Sequence, residues 1–157
     1  MSVVIFKITC KNGHEFRSPN PHGGYGEFIV RGEISPEPGL LNTVGDEVFD
    51  EVDQLLTEIG AYEGKGDMDA SDLLHAIFGV ACDNAPDGTQ LKTSRFEACP
   101  ICGNRKVKSM EPVYPIQLYD GALFQVTHNE WSKLSKSEKI TRLKKALENA
   151  EPVTNFY

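Results

Sequence analysis

The chain has 157 residues, 39% of them hydrophobic and 25% charged, with a formal net charge of −7 at pH 7. That length suits one domain with a sizeable core, and the composition is that of an ordinary globular protein, not a disordered or fibrous one. No apolar run approaches the roughly 20 residues that span a bilayer, and "VVIF" at the start is cut short by Lys7 without the marks of a secretory leader, so a cytoplasmic protein is expected.

"SVVIFKITC" is rich in β-branched and aromatic residues and predicts a strand running into a turn at Cys10. Asn12-Gly13 is a tight-turn dipeptide, and "HEFRS" leaves it as a second strand. "RSPNPHGGYG" reads as loop because of its prolines and glycines, "EFIVRGEIS" as a further strand, and "SPEPG" as the boundary of an insertion.

From Asp46 the hydrophobic period changes. Val48, Val52, Leu55, Leu56 and Ile59 form a helical stripe of about four turns, with Asp46, Asp50 and Asp53 opposite, Glu47 and Glu51 beside them, and Gly60 or Gly64 as the stop. Asp69 is the expected cap of a second helix, "ASDLLHAIFGVAC". Residues 37–90 hold thirteen Asp and Glu against one Lys, a balance of −12, whereas residues 1–36 and 91–157 carry +1 and +4. The middle of the chain is electrostatically unlike its ends.

"KTSRFEACPICGNRKVKSMEPV" reads as strand, turn, strand, and "PIQLYDGALFQVT" as a hairpin with Asp120-Gly121 at its tip. Thr127 with Glu130, and Ser135 with Glu138, have capping-box spacing. Ile140, Leu143 and Leu147 then line one side of a final helix whose other sides carry Lys133, Lys136, Lys139, Arg142, Lys144 and Lys145. The expected class is α+β in a single domain, 1–157. Residues 1–36 and 91–126 form its β core, 37–90 an acidic helical insertion, and 127–150 a C-terminal helical segment.

Two turns carry chemistry. In "CPICG", Cys99 and Cys102 stand two residues apart, Pro100 stiffens the bend, and Gly103 permits the positive φ that turns backbone N–H groups toward thiolates. A redox pair of the thioredoxin kind would open a helix, but "GNRKVKSM" after Cys102 is strand-like. "CKNGH" places Cys10 and His14 on either side of Asn-Gly and supplies two more ligands, so one Zn²⁺ held by Cys10, His14, Cys99 and Cys102 is expected. With four protein ligands the role is structural and no catalytic residue is assigned. Cys82 is the alternative ligand, though the end of the second helix suits a small buried side chain.

With these two turns the chain resembles the zinc-ribbon family, in which two ligand-bearing knuckles clasp one zinc; small bacterial ribbon proteins with a Cys-x3-His first knuckle look similar. The resemblance covers roughly residues 3–18 and 93–113 and departs from the usual pattern in His14 and in the long segment between the knuckles. It implies a fold and a metal and leaves the activity open.

The remaining histidines carry weaker signals. His75 lies off the stripe of the second helix, His22 falls in a loop, and His128 looks like a first-turn residue with no special role. "DMDASD" lacks the glycine and glutamate of a calcium loop, and no nucleophile-and-base or phosphate-loop motif is present. Two functions lead, and a zinc enzyme, in which a displaced or absent His ligand leaves the metal open, is a third. One is a protein-interaction module whose Asp46, Glu47, Asp50, Glu51 and Asp53 dock a basic partner, as a small acidic immunity protein does with a toxin. The other is nucleic-acid or transcription-associated binding through Arg95, Arg105, Lys106 and Lys108, with Lys92 nearby.

Overall fold

A computed structural model describes residues 2–22, 25–93 and 97–150. Helices and antiparallel and mixed sheets make an α+β fold. Strands β1 (Ser2–Cys10), β2 (Glu15–His22) and β6 (Val107–Pro112) form one sheet in the order β2-β1-β6. Strands β3 (Glu27–Arg31), β4 (Gly39–Asn42), β5 (Lys92–Thr93) and β7 (Phe124–Gln125) form another in the order β5-β3-β4-β7, in which β3 pairs antiparallel with β4 and β5, and β4 pairs parallel with β7. Helices α1 (Glu47–Glu58), α2 (Asp67–Ile77), α3 (Asn129–Ser132) and α4 (Lys136–Glu148) complete the fold, with a 3-10 turn at Phe78–Ala81.

Each sheet serves its own core. Val4, Phe6, Ile8 and Val107 pack under the three-stranded sheet. The larger core joins Val30 and Leu41 to Val52, Leu55 and Leu56 of α1, Leu74, Ile77 and Phe78, and Trp131 and Leu143. The stripe read from α1 is therefore its inward face. That helix is closer to three turns than four, and ends as Gly60 and Ala61 donate backbone N–H bonds to the Thr57 and Leu56 carbonyls.

Arg31, 1% exposed at the end of β3, joins the sheets. Its guanidinium donates to Ser18 Oγ at 3.1 Å and to the Pro19 carbonyl at 2.8 Å, both on β2, and to the Pro36 carbonyl at 3.2 Å. Burial pulls its pKa down to about 10, which leaves it charged at neutral pH.

Several elements differ from the sequence reading. The segment taken as loop after Arg17 is strand through His22 despite Pro19 and Pro21. β2 is an edge strand, and Pro19 faces Ile5 across the ladder. Ile5 spends its own N–H on the Gln117 carbonyl and its carbonyl on the Val113 N–H, on the far side from β2. The Pro19 nitrogen thus sits where a donor would have pointed outward, and the ring costs no ladder bond.

The N-cap of helix α2 is Gly66 rather than Asp69, and no side chain caps it. The stretch read as strand, turn, strand has no strand at Glu97–Cys99, and β5 pairs with β3 instead of β6. Nor is 115–127 a hairpin: Gln117 and Tyr119 bond to β1, and Phe124–Gln125 crosses to pair with β4. Ser135 and Glu138 do form a capping box. Thr127 does not cap α3, because its hydroxyl bonds to Asp83, whose carboxylate accepts the Asn129 and Glu130 N–H groups from 46 and 47 residues away.

Candidate metal centre

The first knuckle is the tip of the β1–β2 hairpin. Cys10 donates its N–H to the His14 carbonyl at 2.9 Å, and Gly13, at φ +90°, donates to the Cys10 carbonyl at 2.9 Å. The second repeats this plan. Cys99 donates to the Asn104 carbonyl at 3.0 Å, and Gly103, at φ +74°, donates to the Cys99 carbonyl at 2.8 Å. Glycine adopts these left-handed backbones without a Cβ penalty.

The sheet brings the knuckles together. β6 leaves the second knuckle and pairs antiparallel with β1, setting Val107 opposite Cys10 across a bulge at Thr9 and Cys10. Lys11 adds an N–H bond to the Lys106 carbonyl at 2.9 Å. Both turns thus emerge at one end of one sheet although 84 residues separate His14 from Cys99.

One ligand atom from each of Cys10, His14, Cys99 and Cys102 lies within 4.8 Å of every other. Cys10 Sγ is 3.8 Å from Cys102 Sγ and 3.6 Å from His14 Nδ1. Around a tetrahedral ion of zinc's size two thiolates stand about 3.8 Å apart, and a thiolate and an imidazole nitrogen about 3.6 Å. The spacing therefore fits one ion at the centre of all four donors and far exceeds the roughly 2.05 Å of a disulfide.

Cys10 and Cys99 are buried, His14 is half-buried and Cys102 is exposed. The Asn104 backbone N–H, helped by the Asn12 amide at 3.4 Å, pulls the Cys102 thiol down to about 6. Burial pushes Cys10 up, but the backbone N–H groups of His14 and Asn12 leave it below the ordinary thiol value. Burial raises Cys99, and the neighbouring Cys102 and Cys10 sulfurs raise His14. N–H donors aimed at the sulfurs stabilise thiolate, the form a metal takes. Cys82 stands apart from this cluster: its sulfur is 3.6 Å from the Phe78 carbonyl, and burial raises its pKa well above the thiol range.

The acidic residues of α1 have diverged in their surroundings. Asp46 caps the helix, accepting from the Val48 and Phe49 N–H groups at 2.9 and 3.1 Å, and its other oxygen meets His128 Nε2 at 2.7 Å. Glu51 accepts from Trp131 Nε1 at 2.7 Å and Lys139 Nζ at 2.9 Å. Asp53 accepts from the Tyr62 hydroxyl at 2.7 Å but stays exposed, as do Glu47 and Asp50. Of the basic set, Arg105 donates to the Glu33 carbonyl at 3.1 Å, Lys106 and Lys108 are exposed, Lys92 is half-buried in β5, and Arg95 lies outside the described residues.

Sequence reasoning missed Arg31, Asp83 and His128. His128 reaches both Asp46 and, at 2.6 Å through Nδ1, the Ala81 carbonyl, so it ties α1 and the 3-10 turn to α3. These are single polar residues whose partners, apart from Pro36 beside Arg31, lie 12 or more positions away, and no local spacing announces them. No helix among the described residues is long and apolar enough to cross a membrane. No protein-family model matches the chain, and no curated protein or solved structure matches it.

Proposed function

We propose that this protein is a non-enzymatic, zinc-stabilised interaction module of the zinc-ribbon kind, and that it docks a basic protein in the manner of an immunity or inhibitor protein. Three thiolates and an imidazole are the soft and borderline donors that select zinc over harder cations. Four protein donors complete a tetrahedron and keep no position for water, so the ion's role is to hold the two knuckles together. Three thiolate ligands suit a reducing, cytoplasmic setting.

The observation that carries the docking reading is the division of the α1 carboxylates. Asp46, Glu51 and Glu58 are engaged by His128, Lys139 and Lys136, whereas Glu47, Asp50 and Asp53 face solvent. The basic helix α4 thus neutralises one edge of α1 and leaves the outer edge to attract a cationic surface.

Binding of the zinc-loaded protein to a panel of purified basic and acidic proteins, alongside a gel-shift titration on duplex DNA and on RNA, tests this reading. Salt-sensitive binding confined to basic proteins, weakened by Glu47→Gln with Asp50→Asn, supports it. A steep salt-dependent shift on nucleic acid, with no binding to basic proteins, replaces it with recognition through Lys106 and Lys108.

A further inference from the structure

Beside the outer edge of α1 the chain forms a cleft of about 470 Å³ between α1, α2 and the start of β3. Its lining combines four aromatic residues, Tyr25, Phe28, Phe49 and Tyr62, with two carboxylates, Asp53 and Asp67. Among the described residues, neither lysine nor arginine lines it.

The cleft is braced by its own bonds. The Gly26 carbonyl accepts both the Thr43 N–H and the Thr43 hydroxyl at 2.8 Å, which fixes one wall. His75 fixes another: its Nδ1 can only donate to the Ser71 carbonyl at 2.7 Å, and its ring packs 4.7 Å from Phe28 and 5.5 Å from Phe49. Tyr62 donates its hydroxyl to Asp53 Oδ1. Burial, followed by the neighbouring Asp53, raises the phenol's pKa, so Tyr62 keeps its proton as the donor to Asp53.

Aromatic faces attract cations, and carboxylates beside them add charge and a hydrogen-bond acceptor. An apolar guest would strip water from Asp53 and Asp67 without compensation. A metal ion would find one carboxylate already bonded to a phenol, and Asp53, Asp67 and His75 are not among the described residues whose ligand atoms gather closely enough to hold one. A planar guanidinium satisfies both features, stacking on a ring while donating to a carboxylate.

The rim points to a side chain carried on a polypeptide rather than a free small cation. Tyr25 is 87% exposed, Met68 follows Asp67 at 77%, and Val44, against Gly26, is 62% exposed. Such apolar shoulders around a charged pocket exclude water from a central anchor, as at protein interfaces.

We infer that the Tyr25–Phe28–Phe49–Tyr62 cleft is the anchor pocket of the docking face and takes an arginine side chain of the basic partner between its aromatic rings and the Asp53 and Asp67 carboxylates. This inference rests on the docking reading above and adds to it a specific subsite and a specific residue type.

The test is a fluorescence-anisotropy titration of the zinc-loaded full chain with labelled nona-arginine and nona-lysine peptides at two salt concentrations. Tyr25→Ser and Asp67→Asn change exposed side chains and spare the core; Glu47→Gln with Asp50→Asn removes charge outside the cleft. The expected result is tighter binding of nona-arginine than nona-lysine. Each cleft variant should lose about tenfold affinity, with part of the Tyr25→Ser loss persisting at high salt. Wild-type affinity in both cleft variants, with binding lost in the Glu47/Asp50 variant, would overturn the cleft and leave the docking reading intact. No binding of either peptide by the wild-type protein would overturn both.

Discussion

The Glu51 carboxylate accepts the Trp131 indole N–H at 2.7 Å across 80 residues of sequence, and its second oxygen accepts the Lys139 ammonium at 2.9 Å. Lys139 Nζ also sits 5.5 Å from the centre of the Trp131 ring. Trp131 is 1% exposed, so removing the acceptor leaves a buried donor unpaired. Glu51→Leu should lower stability by about 1–3 kcal/mol, and Glu51→Gln, which keeps an acceptor for the indole, by less. Urea denaturation midpoints at unchanged m-value check the order; equal loss in both variants would assign the effect to the ion pair instead.

Acid should weaken the same bracing. Burial works against ionisation of Glu51 and Asp83, but bonds from Trp131 and Lys139 to the first, and from Glu130, Thr127 and Asn129 to the second, hold both below the usual carboxyl range. The folded pKa is the lower one, so this stability is fully present above about pH 4–4.5, where the unfolded carboxyls are ionised. It is lost as pH falls through the folded values. Denaturation at pH 7, 4 and 3 should show wild type declining over the acid step and Asp83→Asn, already weaker at pH 7, declining less.

Arg31 should be intolerant of its nearest substitute. Its planar fork serves Ser18, Pro19 and Pro36 at once. Arg31→Ala should cost about 2–4 kcal/mol by leaving buried acceptors without donors, and Arg31→Lys should recover less than half, because one ammonium cannot match that geometry. Full recovery in thermal melts of the lysine variant would mean that charge alone matters there.

Gly39 on β4 faces Phe124 of the parallel β7 partner so closely that an added Cβ would overlap the ring. Gly39→Ala should destabilise by about 1–3 kcal/mol, and Phe124→Leu should relieve most of that penalty in a double-mutant cycle. Independent, additive losses would place the clash elsewhere.

How much of this was legible in the sequence follows from the range of each signal. Cys99 and Cys102, like Cys10 and His14, announce themselves by local spacing, and the α1 and α4 stripes by their 3.6-residue period. The partners of a strand are not local. "EACPICG" carries no mark that β6 would join β1 while β5 joins β3, nor does "PNP" show that its prolines face the open edge of a sheet. The carboxylates of α1 looked alike on a helical wheel, yet only the packing of α3 and α4 separates Asp46 and Glu51 from Glu47, Asp50 and Asp53.

Removing the metal should act unevenly. The three-stranded sheet rests on the small core of Val4, Phe6, Ile8 and Val107, with the knuckles at its end, whereas the helices share a core of thirteen buried residues among those described. Chelation should therefore strip hydrogen-exchange protection from β1, β2 and β6 before α1 and α4. Uniform loss, or none, would deny the ion this local role.

The most direct measurement is the metal-to-protein ratio of the reduced chain after refolding with zinc, by plasma mass spectrometry, for wild type and for Cys10→Ser, Cys99→Ser and Cys82→Ser. Joint coordination predicts about one zinc per chain in wild type and in Cys82→Ser, and a much weaker, chelator-labile ion in the other two. A wild-type chain without stoichiometric zinc, or one that keeps it tightly when Cys10 is replaced, would contradict a single ion held by both knuckles.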